Sequence, residues 1–375
     1  MRTLILTNDF PTRQGGIETF VKALTDRFPA DEVVVYTARM PGDAELDATL
    51  PYPVVRDRAR TLLPTPRVGR EVVRVFREHG CDTVLVGSSV PLGLLAPALR
   101  AAGARRVVAM THGHEVWWSR LPGARQALRK VAASVDVLTY VSGWCHDAIG
   151  SALRPADRAR MRPLSPGVDV DQFRPGEGGA AVRARLGLGP TAPVVLCAAR
   201  LVPRKGQDML VRAWPRVLEQ VPDAHLVLVG RGPAAGSLAK DVARLGLDAS
   251  VTLVGPVPWD DIPGFFDAAD VFAGPSRTRL GGLEPEAFGI VFLEAAACGK
   301  PIVVGRSGGT PDTLEDGETG FLVDPRSTEE IAARIVELLR DPERARAMGA
   351  AGRERAANGW TWDEATAKVR GYLAG

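Results

Sequence analysis

The sequence has few cysteines and no long apolar run. Its four cysteines are far apart in 375 residues and form no C-x-x-C pair: Cys81, Cys145, Cys197 and Cys298. This spacing indicates buried, reduced thiols of a cytosolic protein and argues against a disulfide framework. A membrane-spanning helix needs about 18 consecutive apolar residues, and the chain contains no such run. The early apolar segment TLILTND is also too short for a secretory signal, so we expect a strand there.

Other common signatures are missing as well. The net charge of +3 is too small to indicate a nucleic-acid partner. No G-x-x-x-x-G-K-[ST] sequence occurs, which removes phosphoryl transfer by a P-loop. The segment LVLVGRGPAAG has the glycine spacing G-x-G-x-x-x-G and does not open its domain, so it fails the dinucleotide-binding pattern. A nicotinamide dehydrogenase is therefore disfavoured.

What the sequence does contain is a regular alternation of short apolar runs with amphipathic helical patterns. The first runs are TLILTND, EVVVYTA, TVLVGSS, RVVAMTHG and VLTYVS. After a Pro- and Gly-rich break at 163–180 come PVVLCAAR, AHLVLVG, VTLVGPV, ADVFAGPS and PIVVGR. Continuous apolar strands between helices are typical of a parallel sheet covered on both faces. We predict an α/β protein with two doubly wound, Rossmann-like domains facing across a cleft. The predicted parts are residues 1–168, residues 169–357 and a last helix at 358–375 that crosses back to the first domain.

Ligands of such sheets bind beyond the carboxyl ends of the strands, and the first domain has polar residues there. Gly15 and Gly16 precede a helix, where backbone amides can approach an anion closely, although a plain turn is an equal alternative. His112 and His114 follow another strand, beside Glu115. They could bond a sugar hydroxyl or stabilise developing positive charge. No third ligand has suitable spacing, so we predict no metal site.

In the second domain, Arg200 and Lys205 flank a turn before Gly206, which opens a helix. A guanidinium fork and a mobile ammonium in front of a helix N-terminus favour diphosphate binding over a solvated surface pair. The turns that end the next two strands are interpreted as nucleoside contacts: Gly230, Arg231, Val254 and Gly255.

The most informative segment is EPEAFGIVFLE, residues 284–294. We expect Glu286 at a loop-to-helix junction and Glu294 a little over two turns along, on roughly the same helix face. The backbone at the helix start is expected to face an anionic ligand: Phe288, Gly289, Ile290 and Val291. The two carboxylates could hold the hydroxyls of a sugar and of a ribose, with the nearby cations offsetting their charge. The combination indicates a nucleotide diphospho-sugar.

With these residues the chain resembles the retaining glycosyltransferase family 4 of GT-B fold. The R-x-x-x-x-K of Arg200 and Lys205 and the E-x-x-x-x-x-x-x-E of Glu286 and Glu294 carry the resemblance, which covers essentially the whole chain. It implies that Arg200 and Lys205 hold the donor diphosphate and stabilise the leaving group. It also implies that Glu286 contacts the transferred sugar and Glu294 the ribose.

The resemblance extends to the first domain. It implies that Gly15 and Gly16 face the donor phosphates or the acceptor. The family's strand-end histidine matches His112 by position, with His114 too close in sequence to be separated from it. Members generally need no metal or other cofactor, so the leaving-group charge would fall on Arg, Lys and helix-end amides.

Three segments carry a narrower resemblance: GGIETF, THGHEVWWSRLPGARQALRKV and GLEPEAFGIVFLEA. They are similar to mannosyltransferases that use GDP-mannose to add a second mannose to phosphatidylinositol monomannoside. This implies GDP-mannose as donor, GDP as product, a phosphatidylinositol monomannoside lipid as acceptor and an α-(1-6) linkage. Glu284, a third carboxylate just before the motif, has no assigned role.

The first domain also has a basic and apolar character that suits a lipid acceptor. From Arg56 to Arg77 seven arginines stand against Asp57 and Glu71, and Leu63 and Trp117 belong to the same domain. We expect a cytoplasmic protein in peripheral contact with the anionic, cytoplasmic face of the cell membrane. The alternative is ordinary ion-paired helix faces.

Other functions stay open at this point. One is a family 4 transferase that uses a UDP-sugar and another acceptor, because sequence spacing does not distinguish guanine from uracil. Another is a nucleotide-sugar epimerase of the same fold, which needs acid and base groups around the sugar. A noncatalytic nucleotide-sugar sensor is the third.

Overall fold

The computed structural model describes residues 1–13, 15–176 and 178–375, and the chain divides into two compact units. Unit 1 comprises Met1–Gly167 and Trp362–Gly375, and unit 2 comprises Val168–Thr361. The second division lies four residues later than the expected 357/358. Residues 358–361 stay with unit 2 because the Val168 N–H donates to the Trp360 carbonyl at 2.8 Å and the Trp360 ring lies 5.3 Å from that of Phe288.

Unit 1 is built on a seven-stranded parallel sheet. Its strands are β1 (Thr3–Leu6), β2 (Val33–Ala38), β3 (Val54–Asp57), β4 (Thr83–Val86), β5 (Arg106–Ala109), β6 (Val137–Tyr140) and β7 (Met161–Pro163). They lie in the order β3-β2-β1-β4-β5-β6-β7. Every side chain of β1, β2 and β4 is buried, as expected for strands covered on both faces.

Helices connect these strands. They are α1 (Gly16–Thr25), α2 (Asp43–Asp47), α3 (Pro66–Glu78), α4 (Ala96–Ala101), α5 (Glu115–Arg120), α6 (Pro122–Ser134), α7 (Gly143–Gly150) and α8 (Pro155–Arg158). The start of α3 shows how the sequence sets a helix boundary. Pro66 occupies the first helical position, and the Thr65 hydroxyl accepts a hydrogen bond from the Val68 N–H.

Unit 2 has a six-stranded parallel sheet. Its strands are β8 (Val194–Ala198), β9 (His225–Val229), β10 (Val251–Gly255), β11 (Val271–Gly274), β12 (Ile302–Gly305) and β13 (Gly320–Val323), in the order β10-β9-β8-β11-β12-β13. Its helices are α9 (Gly179–Arg185), α10 (Gln207–Leu218), α11 (Ala235–Arg244), α12 (Ile262–Ala268), α13 (Ile290–Ala297), α14 (Thr328–Arg340) and α15 (Pro342–Ala357). The core on one face of the sheet includes the fully buried Trp214 of α10.

The last helix, α16 (Trp362–Ala374), returns to unit 1. Its Val369 and Leu373 are buried, and the Trp362 ring lies 5.6 Å from that of Phe20. The Arg106 side chain of β5 donates to the Tyr372 carbonyl at 2.7 Å. In the described ranges, no helix combines the length and the apolar content that crossing a bilayer requires.

Each sheet has one place where the strand order reverses. In unit 1 the reversal lies between β1 and β4, and in unit 2 between β8 and β11. The loops that leave the two strands diverge there, and the crevice between them is where open α/β sheets bind ligands. Of the residues that the sequence analysis singled out, Gly15 and Gly16 follow β1, Arg200 and Lys205 follow β8, and Glu286 follows β11, whereas the two histidines follow the neighbouring β5.

An ion pair between the buried Asp57 carboxylate and the partly exposed Arg67 fixes the end of β3. Asp57 accepts hydrogen bonds from Nη1 and Nη2 of Arg67 at 2.9 and 2.8 Å, and also from the Tyr36 hydroxyl and the Ala59 N–H. The hydrogen bonds from Arg67, aided by those of Tyr36 and Ala59, outweigh burial and lower the pKa of Asp57 to about 2. Arg67 is therefore a structural residue that holds the loop after β3.

We predict that Asp57→Asn lowers the free energy of unfolding by about 2 kcal/mol at pH 7, because it removes charge-assisted hydrogen bonds in a buried place. A depressed pKa stabilises the folded state above the ordinary value of 3.8, and this contribution is lost as the pH falls toward 2. The difference between wild type and variant in chemical denaturation should therefore shrink over that interval. Glu71→Gln, which breaks an exposed pair with Arg74, is the control and should change stability by less than about 0.5 kcal/mol. Equal losses in the two variants would contradict the structural role of Asp57.

Candidate active site

The loop after β8 presents two adjacent cations in front of a helix. A short 3-10 turn, Pro203–Lys205, leads into Gly206, whose φ of 78° lies in the left-handed region, and α10 begins at the next residue. A side chain at Gly206 would also collide with the Pro275 carbonyl of the loop after β11. Glycine is therefore required where the β8 and β11 loops touch.

Glu286 in the loop after β11 receives both cations. Its Oε2 lies 2.6 Å from Lys205 Nζ, and its Oε1 lies 3.3 Å from Arg204 Nη1. The Ser276 hydroxyl donates to Oε2 at 3.4 Å. The backbone is fixed as well, because the Glu286 N–H donates to the Ser307 hydroxyl oxygen at 3.1 Å and its carbonyl accepts from the Gly309 N–H at 2.9 Å.

Burial is the strongest single influence on the pKa of Glu286, and it opposes ionisation. The combined charges of Lys205 and Arg204, with hydrogen bonds from Lys205 and Ser276, outweigh it and hold the pKa below its ordinary value. Glu286 is thus a buried, ionised carboxylate at neutral pH.

Glu294 is a buried carboxyl of the opposite kind. Its side chain is 8% exposed and forms no ion pair or hydrogen bond with any residue that the structure describes. Burial raises its pKa to about 8, and the Lys205 charge counters only part of that rise. In the free protein at pH 7 the group is protonated and without a protein partner, which leaves it available to a ligand's hydroxyls.

The expectation that Glu286 and Glu294 share one helix face is wrong. Helix α13 begins at Ile290, after Gly289 with a φ of 100°, so Glu286 lies four residues before the helix in irregular chain. Gly289 has a left-handed backbone conformation, and the helix starts only after it. What connects the two carboxyls is the charge of Lys205, which lowers the pKa of each. Phe288 is buried, whereas Gly289, Ile290 and Val291 are partly accessible at the helix N-terminus, whose amides have no intrahelical acceptor.

Arg200 stands apart from this cluster. Its side chain is exposed and makes no ion pair or hydrogen bond within the described ranges. Its backbone is held, because Gln207 Nε2 donates to its carbonyl at 3.1 Å. The structure therefore brings Lys205 onto Glu286 and leaves the Arg200 guanidinium unengaged.

The predicted nucleoside contacts lie beside Arg200. The Leu201 N–H donates to the Arg231 carbonyl at 2.9 Å, and the Gly230 N–H donates to the Gly255 carbonyl at 2.9 Å. Gly230 has a φ of 136°, and a side chain there would collide with the Ala199 carbonyl. Val254, next to Gly255 in β10, is partly buried. The loops after β8, β9 and β10 thus form one continuous surface at the carboxyl edge of the sheet.

Arg204 is the site residue that the sequence analysis missed. Besides its contact with Glu286, it donates to the Pro285 carbonyl at 3.1 Å and lies 4.0 Å from Glu284. Glu284 also pairs with Arg279 at 3.2 Å. The available signal was the pair of adjacent cations, Arg204 and Lys205, directly before Gly206. Spacing alone does not show which cation contacts which of the three acids in the segment 284–294.

In unit 1 the two candidate histidines differ in their surroundings. The half-buried His112 has Nε2 2.6 Å from the Gly87 carbonyl, so this nitrogen carries the proton, and burial lowers the pKa of the ring. His114 is more exposed, with Nε2 3.3 Å from Glu115 Oε1. The fully buried Glu115 anchors the loop, because its Oε2 accepts from the N–H groups of His112 and Gly113 at 2.9 and 3.1 Å.

A cavity of about 400 Å³ opens at the strand-order reversal of unit 1. Polar residues after four strands line it: Asn8, Asp9, Arg13, Thr61, Ser88 and His114. The Asp9 carboxylate has a single long ion pair, 3.8 Å to Arg13, and accepts no hydrogen bond from the part of the chain that the structure describes. Burial, followed by the nearby Glu18, raises its pKa. The cavity therefore offers an unsatisfied carboxylate to a ligand with hydroxyl groups.

Gly15 and Gly16 are both exposed at the start of α1. The Glu18 carboxylate of the first helical turn lies against Gly15, whereas Gly16 has open space beside it. The contact of these two glycines with an anion stays a prediction. As for metals, no group of three or more His, Cys, Asp or Glu side chains among the described residues is arranged to hold an ion.

Two family models match the chain, one in each unit. The model described as Glycosyltransferase Family 4 matches residues 14–172, and the one described as Glycosyl transferases group 1 matches residues 180–355. Among solved structures, Anabaena HepE in complex with UDP superposes with a TM-score of 0.83, covers 100% of both chains and is 23% identical. At that identity the likeness concerns the fold alone.

Two curated relatives are similar over nearly their full length. The GDP-mannose-dependent alpha-(1-6)-phosphatidylinositol monomannoside mannosyltransferase of Mycolicibacterium smegmatis is 45% identical, over 99% of this chain and 98% of its own. A GDP-mannose-dependent monoacylated alpha-(1-6)-phosphatidylinositol monomannoside mannosyltransferase of Corynebacterium glutamicum is 42% identical, over 96% and 95%.

We predict that Glu294→Gln stabilises the protein in alkaline solution. An acid whose pKa is raised on folding destabilises the folded state as the pH rises from its ordinary value of 4.5 to about 8, because the unfolded chain has already released the proton. The wild-type free energy of unfolding should fall relative to the variant by about 1.4 kcal/mol per pH unit across that interval. Denaturation of both proteins at pH 5 and pH 9 measures the difference, and a gap independent of pH would contradict the raised pKa.

Proposed function

The chain belongs to glycosyltransferase family 4, and we propose that it is a retaining mannosyltransferase that transfers mannose from GDP-mannose to a phosphatidylinositol mannoside lipid. The observation that carries the proposal is the pair of buried carboxyls in unit 2, Glu286 ionised between two cations and Glu294 unpartnered. A sugar nucleotide presents phosphates for the cations and hydroxyls for the carboxyls. The names of the two full-length relatives support guanine, mannose and the α-(1-6) linkage.

Each site residue has a task in this reaction. The bond from mannose C1 to the β-phosphate oxygen breaks, a bond from an acceptor hydroxyl oxygen to C1 forms, and GDP and a proton leave. Lys205, Arg200 and the first amides of α13 meet the negative charge that develops on the leaving diphosphate. Glu286 accepts hydrogen bonds from hydroxyls of the transferred mannose, and Glu294 forms hydrogen bonds with the ribose hydroxyls. No metal or other cofactor is assigned a task.

The unit 1 cavity is proposed as the acceptor site. Asp9 and Ser88 supply acceptors and donors for a polyol headgroup, and Arg13 supplies a cation for its phosphate. His114, which lines the cavity, contacts the acceptor in this proposal, whereas His112 holds the backbone at Gly87.

We also propose that unit 1 docks on an anionic, cytoplasmic membrane surface. Three arginines of the basic segment are engaged in ion pairs: Arg56 with Asp47, Arg67 with Asp57 and Arg74 with Glu71 and Glu78. The other four, Arg58, Arg60, Arg70 and Arg77, are exposed and have no ion pair within the described residues. In the same segment Leu63 is 53% exposed, and Trp117 is 43% exposed after β5, at the carboxyl edge of the sheet.

A thermal-shift panel with GDP, UDP, ADP and NAD tests the donor. A ligand at one hundred times its dissociation constant stabilises the folded state by about 2.7 kcal/mol, and we expect this shift with GDP alone. Lys205→Ala should sharply reduce the shift, because it removes one of the two cations, Lys205 and Arg200, that are proposed to hold the diphosphate. Turnover of GDP-mannose with phosphatidylinositol monomannoside then tests the acceptor. A shift with UDP alone would identify another sugar donor, and a shift with NAD would overturn the proposed function.

Sedimentation with vesicles that contain anionic phospholipid tests the docking surface. We expect the combined change Arg58→Ser, Arg60→Ser to weaken binding by about tenfold or more, since each cation near such a surface contributes about 1 kcal/mol. The GDP shift should be unchanged, because both residues are in unit 1. The change Arg74→Ser, Arg77→Ser removes the same charge from α3 and serves as the control. Equal loss of vesicle binding in both double variants would mean that only the net charge matters, and it would contradict a docking surface at Arg58 and Arg60.

A further inference from the structure

Arg204 contacts three consecutive residues of the loop after β11, and the proposed reaction gives it no task. Its Nη1 lies 3.3 Å from Glu286 Oε1 and donates to the Pro285 carbonyl at 3.1 Å, and its Nε lies 4.0 Å from Glu284 Oε1. The side chain is only 16% exposed. Such a contact set fixes the position of a loop segment as well as the charge of one residue.

The two oxygens of Glu286 are divided between the two cations. Lys205 and the Ser276 hydroxyl face Oε2, and Arg204 faces Oε1. The two cations also differ in chemistry. The Lys205 ammonium ends a flexible stem and can turn to another anion, whereas the Arg204 guanidinium is planar and is already committed to the Pro285 carbonyl.

Arg204 is itself held from both sides. Its carbonyl accepts from the Arg277 N–H at 2.8 Å, and the Arg277 guanidinium forms two hydrogen bonds to Asp208 at 2.9 and 3.0 Å. On the other side, Arg279 and Glu284 exchange backbone hydrogen bonds of 3.1 and 3.2 Å, which close a small loop. Glu284, the second acid that Arg204 faces, is therefore held in a fixed position.

A donor diphosphate competes with Glu286 for Lys205. If Lys205 were the only cation on Glu286, the arrival of the donor would leave a buried carboxylate uncompensated, and burial would then favour its neutral form. We propose that Arg204 is a positioning residue that keeps Glu286 ionised and oriented toward the transferred sugar while Lys205 turns to the diphosphate. This inference rests on the proposed function and adds a residue to its donor site.

The charged groups around Glu286 support this division. Lys205 and Arg204 both lower its pKa against the effect of burial. Glu284 faces it across Arg204, and Glu294 is acted on by the same Lys205. With Lys205 drawn to a diphosphate, Arg204 is the remaining cation in contact with Glu286 among the described residues.

The test compares Arg204→Gln with Arg277→Gln in the full-length protein. Arg277 is the matched control, because it is also 16% exposed and forms a part-buried pair with Asp208 of α10, but it does not contact Glu286. We expect Arg204→Gln to lower kcat about 10- to 100-fold, since misplaced contacts with the reacting sugar slow the chemical step. The acid limb of kcat should move up by about one pH unit, and that of kcat/KM by less, because Lys205 still contacts Glu286 in the free protein.

Two further measurements separate positioning from other effects. The affinity for GDP, which has no sugar, should stay within about threefold of the wild type in Arg204→Gln. Arg204→Lys, which retains the charge, should return the acid limb to the wild-type pH even if kcat recovers only in part. An unmoved limb in Arg204→Gln, or the same movement in Arg277→Gln, would overturn the proposal. A loss of GDP affinity as large as the loss of kcat would also overturn it, by making Arg204 a phosphate ligand.

Failure of the proposed function has a different signature. It shows in the wild type, as absence of turnover with GDP-mannose. The Arg204 comparison then uses the nucleotide sugar that the thermal-shift panel selects, and the same movement of the acid limb decides it.

Discussion

The ion pair between Lys205 and Glu286 is the interaction on which the arrangement of the unit 2 site depends. Lys205 follows β8 and Glu286 follows β11, the two strands that flank the reversal of strand order, so the pair ties together loops that otherwise diverge. Removing Glu286 would leave the buried Lys205 ammonium without the carboxylate it contacts, at a cost of about 3–5 kcal/mol, whereas Arg204 would still contact Glu286 if Lys205 were removed. The contact is therefore structural before any ligand arrives, and a ligand that takes Lys205 must supply what the pair provided.

The same cation explains why two neighbouring carboxyls have opposite protonation states. Glu286 and Glu294 are both buried, but Glu286 is in direct contact with two cations, whereas Glu294 feels only the distant charge of Lys205. Separation of pKa values by environment is how a single site obtains groups with different tasks. Here the ionised group suits a sugar in reaction, and the neutral group suits a ribose that is only bound.

The sequence predicted the two parallel sheets and most of their strands, and the strands it missed share a property. Strands β3, β7 and β13 each lie at a sheet edge, where one side is unpaired and the apolar pattern is short or interrupted, as in MRP at Met161–Pro163. Within the site, spacing identified Lys205, Glu286 and Glu294 as a set, but it placed both acids on one helix. The turn at Gly289 and the role of Arg204 depend on how separate loops meet, which no local pattern records.

The return of α16 to unit 1 has a consequence for the order of folding during synthesis. Unit 1 contains the first strands of the chain, yet Val369 and Leu373 of α16 are part of its core, and they leave the ribosome only after all of unit 2. Domains commonly fold in order from the N-terminus as they are made. In this chain unit 2 is the first with all its residues available, and the earlier unit waits with one flank of apolar surface uncovered until the last helix arrives.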